Sequence, residues 1–420
     1  MWQTVLEPLI KIAVIVGGVM TAAAYFVLLE RRVAAWVQDR HGPNRVGIPL
    51  TRIKLFGLGQ PLADGLKMIF KQEYTPAQVE RRLYVLAPIV IMTAALSVFA
   101  VIPMGSVIPP IPALGIDHPI PLTAAPRLDV AVLYVFALSS IAVYGVILGG
   151  WASNSKYSFL GGLRSSAQMI AYELPLGLGL LGVVLATGTL QLDQIIHAQA
   201  NQGTWFAFSQ PLGFLVFVVA AFAEAGRLPF DLPECEQELV GGYHTEYSGM
   251  KLVLFLTAEF IHMITASFLI VILFLGGWHL PFGLTGVGDD IGWGLALFRV
   301  AVLMAKVFVV IFFFMLIRWS WPRFRFDQLM TLAWKVMLPL GLVNLIAVAV
   351  IQEIQHPDMW GAWFAGRGNW PTIAMGWGVF LVAWLGVAAL RPVMTDNSPR
   401  RDLSPFGPDS QLPVSEQGVR

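Results

Sequence analysis

Charge and cysteine are what this chain has least of. Only 13% of its 420 residues are Asp, Glu, Lys or Arg, where soluble domains carry roughly 25%. That is too little polar cover for a water-facing surface, so an ordinary soluble enzyme is excluded. The single cysteine, Cys235, excludes an intrachain disulfide framework and any zinc or iron–sulfur site held by thiolates of this chain alone. The formal net charge of +1 lacks the basic surplus that nucleic acid as a main partner requires. Also missing are a G-x-G-x-x-G after a strand, a P-loop and an H-E-x-x-H pair. The histidines (His41, His118, His197, His244, His262, His279 and His356) are scattered, with no i,i+4 pair. The chain is therefore expected to hold no nucleotide, metal or redox cofactor itself, and to work through carboxylates, guanidiniums and shape.

Apolar sequence, by contrast, is abundant: 56% of residues are hydrophobic and the mean hydropathy is +0.69. A run of about 20 apolar residues spans a bilayer as a helix. About nine such runs fall near 11–29, 83–103, 129–150, 169–186, 211–225, 252–276, 292–317, 331–351 and 372–390, the fifth being short. The expected fold is an all-α integral membrane protein of about nine transmembrane helices. The first run lacks a small-residue cleavage site and ends in Glu30-Arg31-Arg32, so it reads as a retained anchor.

Basic residues set the expected sidedness. Arg31, Arg32, Arg40, Arg45, Arg52, Lys54, Lys67, Lys71, Arg81 and Arg82 follow the first run; Lys156, Arg164, Arg227, Lys251, Arg318, Arg323, Arg325, Arg391, Arg400 and Arg401 fall in alternate loops and the tail. The opposite loops carry only Arg127 and Arg367. The N-terminus is thus expected outside and the C-terminus inside, a parity that nine spans satisfy. Residues 104–128 are proline-rich and read as an extended outer loop, and 392–420 as a disordered cytoplasmic tail.

Two inside segments carry the chemistry. The first, from Glu224 to Glu259, holds Asp231, Glu234, Glu236, Glu238 and Glu246 against only Arg227 and Lys251, although inside loops ordinarily favour bases. Asp231-Leu232-Pro233-Glu234 has the form of an N-cap, a first-turn proline and a capping-box acid, opening a short helix that stops at Gly241-Gly242. Either this acidity is a solvated helical face, or it titrates. Glu259 lies about eight residues past Lys251, roughly 10 Å into the membrane at ~1.5 Å per residue. A charge at that depth costs about 2.5–3.5 kcal/mol unless it is neutral, paired or facing water. Glu173 and Glu224 have the same character, and Lys306 and Lys335 offer opposite charges. Static ion pairs and a proton-carrying polar cavity are the two readings, and three intramembrane carboxylates favour the cavity.

The second segment lies between residues 30 and 73. Leu62, Leu66 and Ile69 share one helical face while Asp64, Lys67 and Lys71 share another, the pattern of an amphipathic helix on the membrane surface. Its arginines either anchor the inside loop or dock a partner subunit.

At these segments the sequence closely resembles the H-subunit family of bacterial NADH-quinone oxidoreductase, whose mitochondrial counterpart is NADH dehydrogenase subunit 1 of complex I. The matching motifs are ERRVAAWVQDRHGPNRVG, QPLADGLKMIFK, NSKYSFLGGLRSSAQMIAYELPL, AEAGRLPFDLPECEQELVGGYHTEYSGMK and WPRFRFDQLMTLAWKVMLPL, in order between residues 7 and 351. The resemblance implies an eight-helix membrane core over 1–351, with the helix at 372–390 an addition. It implies a multi-pass subunit of the cell inner (plasma) membrane, within an H⁺-translocating NADH:quinone oxidoreductase. Quinone is then the substrate, while FMN and iron–sulfur clusters belong to partner subunits. The partners it implies are the peripheral-arm subunits carrying the terminal cluster and quinone headgroup site, the small membrane subunits, the antiporter-like subunits and membrane lipid. Carried across residue by residue, the quinone chamber takes Arg31, Arg40, Asp64, Arg164, Asp231, Glu234, Glu236, Glu238 and Glu246, and the proton path takes Glu173, Glu224 and Glu259.

The chain departs from the family where AEAGR replaces the frequent AETNR, where Glu236-Gln237-Glu238 replaces an ESE run, and where Phe260 replaces a frequent tyrosine. Two rivals stay open on sequence: the related anchor of a membrane-bound hydrogenase, and a stand-alone secondary transporter. The absence of a visible internal repeat counts against the transporter.

Overall fold

A computed structural model describes residues 6–47, 56–110, 118–126, 128–231, 240–281, 285–286, 288, 292–355 and 369–389. Helices dominate: α1 (Glu7–Val37), α2 (Gln60–Phe70), α3 (Arg81–Ser97, prolonged by a 3₁₀ turn to Ala100), α4 (Ala131–Ala152), α5 (Lys156–Thr187), α6 (Leu192–Gln202), α7 (Phe206–Ser209), α8 (Pro211–Glu224), α9 (Gly249–Phe274), α10 (Trp293–Ser320), α11 (Phe326–Ile354, with a π-turn at Leu332–Met337) and α12 (Trp370–Ala389). Among the described residues, eight helices are long and apolar enough to cross a membrane, and α8 is a shorter apolar helix. The protein is an all-α, multi-pass membrane protein.

Each apolar run became a helix, but several helices outgrow their runs. The fourth run starts near residue 169, yet α5 begins at Lys156. Hydropathy misses this turn-rich stretch because Gly161 and Gly162 serve packing there rather than chain breaking. A Cβ on Gly161 would lie 2.6 Å from the Gly242 Cα, and the Gly162 Cα stands where a Cβ on Gly150 would be 3.2 Å away. At ~1.5 Å per residue the 14 residues of α8 cover only about 21 Å. Pro211 explains the shortfall. It lacks the N–H that would continue a helix from α7, and it holds Gln210 out of helical geometry (φ −129°, ψ 60°).

The break is covered within the protein, as irregular backbone at membrane depth requires. Gln210 donates its side-chain amide to the Gly182 carbonyl at 3.2 Å. Buried Asn344 of α11 lies against the same place, 2.7 Å from where a Cβ on Gly182 or Gly213 would stand. On the other side α12 packs against α7, α8 and α11. Gly376 approaches so closely that a Cβ there would sit 2.1 Å from the Ser209 carbonyl oxygen.

Helix α9 is the centre of the bundle. Its residues from Met263 to Phe274 are all buried, and it touches α1, α2, α3, α6, α7, α8 and α10. Contacts elsewhere sort into two ends. At the basic-loop end, Tyr84 and Tyr247 stack 4.1 Å apart and Glu73 pairs with Lys251 at 3.1 Å. At the opposite end, Glu7 meets His118 at 3.4 Å and Trp205 donates to the His279 carbonyl at 3.3 Å. The expected extended loop at 104–128 is partly paired: Val107–Ile108 runs antiparallel to Ile120–Pro121. The amphipathic helix is α2. Leu62 and Ile69 are each 59% exposed, an apolar face left for lipid or a partner. The expected tail from 392 lies outside the described residues.

Candidate functional site

All three membrane carboxylates expected to carry protons line one cavity. Glu173 comes from α5, Glu224 from the end of α8 and Glu259 from α9. Its space is ≈ 40 Å³, room for about two or three waters. A second chamber of ≈ 20 Å³ continues from it, sharing Ser139, Glu224, Ala225 and His262 and reaching Leu269 on α9. Each acid meets a hydroxyl. Ser139 donates to Glu224 and Ser140 donates to Glu173, while Tyr243 donates to Glu259 at 2.9 Å. A hydroxyl stabilises a carboxylate without fixing its charge, since it accepts a proton as readily as it donates one. Gln168, fully buried, ties the cavity wall together by donating to the carbonyls of Ala223 (2.8 Å) and Phe230 (2.7 Å).

Lys306, which the sequence offers as a counter-ion for these acids, is elsewhere. Its ammonium donates to the carbonyls of Leu275, Gly277 and His279 at the far end of the bundle. Among the described residues, one set of buried ion pairs forms instead around Glu30, which in sequence is no more than the edge of a basic anchor. Glu30 of α1 is buried and accepts from both Arg227 (3.1 Å) and Arg318. The Arg227 guanidinium also stacks 4.1 Å from the Phe260 ring centroid.

That stack is indifferent to one departure expected from the resemblance, Phe260 where tyrosine is frequent. At position 260 this chain keeps the ring face that a cation uses, and the hydroxyl on Glu259 comes from Tyr243. Another departure follows from backbone geometry. Gly226 has φ +62°, a left-handed conformation that glycine and asparagine tolerate best, so Gly for Asn in AEAGR preserves the turn.

The expected chamber residues are spread over the basic-loop end. Arg31 pairs with Asp64 at 2.7 Å, tying α1 to α2. Arg40 lies just past α1 and donates to the Gln38 side chain at 2.8 Å. Arg164 sits 5.8 Å from the Phe326 ring centroid. Asp231, buried, pairs with Arg323 at 3.0 Å. The Glu246 carbonyl accepts from the Tyr84 hydroxyl at 2.7 Å. Glu234, Glu236 and Glu238, with the short helix expected over them, lie outside the described residues.

Sequence reading also missed His262, Tyr243 and the serine pair. His262 follows Glu259 by three residues on α9 and so shares its face, the one signal that could have found it. Ser139 and Ser140 differ from any other polar pair in an apolar run only through what α5 and α8 bring against them. Beyond the cavity, Glu173 also lines an open apolar cleft of ≈ 550 Å³ between α4, α5 and α11. It thus touches both the interior and the bundle surface.

Fold and site together define a multi-pass membrane protein with a carboxylate-lined internal cavity. Residues 10–349 match the NADH dehydrogenase family. The chain is 47% identical over 343 residues to an H subunit of the NADH-quinone oxidoreductase of Geobacter metallireducens, covering 82% of this chain and 95% of that protein. It is 42% identical over 348 residues to the corresponding H subunit of Flavobacterium johnsoniae (83% and 95%). It is 44% identical over 345 residues to NADH-quinone oxidoreductase subunit 8 of Rhodothermus marinus (80% and 94%). The chain belongs to the NADH dehydrogenase family of complex I membrane subunits, together with the H subunits of NADH-quinone oxidoreductase.

Proposed function

We propose that this chain forms the membrane-facing wall of a quinone chamber and the first stretch of an acidic proton path within an H⁺-translocating NADH:quinone oxidoreductase. The basic-loop end faces the inside of the cell inner membrane and docks a peripheral arm. That arm carries FMN and the iron–sulfur clusters, and its terminal cluster delivers electrons to the quinone headgroup. Arg31, Arg40, Asp64, Arg164, Asp231, Glu234, Glu236, Glu238 and Glu246 border the chamber. Reduction of the headgroup draws protons and changes the charge on these acids. The change passes to Glu224, Glu259 and Glu173, which titrate as a group rather than singly.

One observation carries the reading: Glu173, Glu224 and Glu259 share a water-sized cavity, and each meets a hydroxyl. A carboxylate–hydroxyl–water line is what proton transfer between fixed groups needs, whereas arginine partners would hold the acids ionised. Glu173, at the border of the cavity and the open cleft, is where the path leaves this chain toward small membrane subunits and antiporter-like subunits. The eight-helix portion over 1–351 forms this core, and α12 is an addition to it.

The test replaces Glu224 or Glu259 by glutamine in the whole complex and follows quinone reduction and proton uptake in vesicles. Both fall together if the acids carry protons coupled to the redox step. Parent rates of both would refute the path.

A further inference from the structure

The end of the bundle opposite the basic loops holds a second polar assembly that the proton path does not use. Helix α10 carries Arg299 and Lys306, two turns apart and therefore on one face. The Lys306 ammonium lies 2.6 Å from the Leu275 carbonyl, 2.9 Å from that of Gly277 and 2.6 Å from that of His279. Below it, the Trp205 ring centroid is 4.5 Å away. Arg299 is fully buried. Its Nε donates to the Thr285 carbonyl at 3.1 Å, and its two terminal nitrogens donate to Gly286 and Gly288 at 3.0 Å each. Two cations thus gather six carbonyls from the segment joining α9 to α10.

The segment is shaped for this. Gly276 (φ +72°) and Gly277 (φ +54°) both take left-handed turns, and a Cβ on either would lie 2.7 Å from Trp205 or Ile196 respectively. Only glycine turns the chain there and leaves room for its neighbours. The three carbonyls around Lys306 match an ammonium by count of donors. An ammonium has three, matching three carbonyls, whereas a neutral amine has two and presents a lone pair to the third. The ring face of Trp205 adds to the preference. His279, next to both cations, is held down to about 4 by burial, then by Arg299, His197 and Lys306, so its imidazole stays neutral. The inner chambers reach Leu269, six residues and about 9 Å along α9 from Leu275.

We propose that Arg299 and Lys306, bound to the carbonyls of the α9–α10 segment, form a positively charged stopper that keeps protons of the acidic cavity from escaping through the far end of the bundle. A cavity of titrating acids and water conducts protons wherever it opens. Fixed positive charge repels hydronium, and carbonyls already committed to cations offer no relay. The inference rests on the cavity being proton-carrying, so its test reads leakage rather than turnover.

Purified complex is reconstituted in vesicles containing a pH dye, a pH step is applied without substrate, and the passive proton flux is recorded. Lys306→Gln raises the flux several-fold and lowers protons moved per electron while quinone reduction stays near the parent rate. Lys306→Arg, which keeps the charge, stays tight. The double variant Glu224→Gln with Lys306→Gln closes the leak again, because the path to the stopper runs through the cavity. A tight Lys306→Gln complex overturns the proposal, as do equal leaks in the Gln and Arg variants or a leak that persists in the double variant. If Lys306→Gln fails to assemble, Trp205→Leu is measured in its place, and tightness there overturns the proposal equally. Failure of the proton path itself shows separately, as normal pumping by Glu224→Gln alone.

Discussion

Glu30 and Glu224 are the same residue type, each near the basic-loop end of a membrane helix, and the protein surrounds them in opposite ways. Glu30 stands between two guanidiniums that pair with its carboxylate. Glu224 accepts from a serine beside water-sized space, and among the described residues no ion pair pins its charge. One acid is a fastener joining α1 to α10 and to the turn after α8; the other is the one to which the proposed function gives proton exchange. The difference lies in the partner: guanidiniums around Glu30 and a hydroxyl on Glu224, a distinction that neither depth nor neighbours in sequence reveal.

The contrast breaks most sharply at Glu30. Glu30→Ala leaves two arginines without their shared carboxylate, a loss of about 3–5 kcal/mol for a buried pair. The expected outcome is poor assembly or a lowered melting temperature, with normal protons per electron in whatever complex assembles. Glu224→Gln inverts this profile: assembly holds while quinone reduction falls about tenfold or more. That is less than the ~10²–10⁴ of a group at a reacting atom, because neighbouring carboxylates share the proton. Assembly yield and vesicle pumping measured on both variants decide it, and identical profiles would erase the distinction.

A finer test is Tyr243→Phe, which removes the hydroxyl on Glu259 but keeps the ring. One hydrogen bond of ~1 kcal/mol corresponds to roughly fivefold in rate, expected in pumping and quinone reduction together with at most a small drop in melting temperature. The smallest effect concerns His279. Its imidazole is held at about 4, below an unfolded value of ~6.5, so burial of the neutral ring stabilises the α9–α10 segment above pH 6.5. That contribution shrinks as pH falls from 6.5 toward 4, where the folded ring must also charge. Hydrogen exchange of residues 275–281, normalised to an unfolded peptide, should therefore quicken over that window, and His279→Asn should flatten the response.

Much of this was legible in the chain. Long apolar runs dictate helices because a bilayer core admits little else, and acids within such runs are rare enough to mark the cavity at Glu173, Glu224 and Glu259. The rest needed three dimensions. Glu30 looks like the margin of a basic anchor, since its partners Arg227 and Arg318 lie far along the chain. Lys306 looks like a counter-ion because a sequence shows cations but not backbone carbonyls, and it is carbonyls that hold it. Ser139, Ser140 and Tyr243 carry no signal of their own until α5, α8 and α9 bring their acids alongside. The early start of α5 stays hidden because a glycine pair reads as a turn when seen only in one dimension.

The close fit of Gly376 against Ser209 has a consequence in time as well as in space. The interruption ahead of Pro211 is made long before the helix that closes over it, Trp370–Ala389, is translated. Until then the exposed peptide groups must find some temporary shelter, from the insertion machinery or from water held in the membrane. Maturation of this stretch therefore waits on a helix translated much later, and a released polypeptide ending at residue 355 should be held by the insertase far longer than one that includes the helix ending at Ala389.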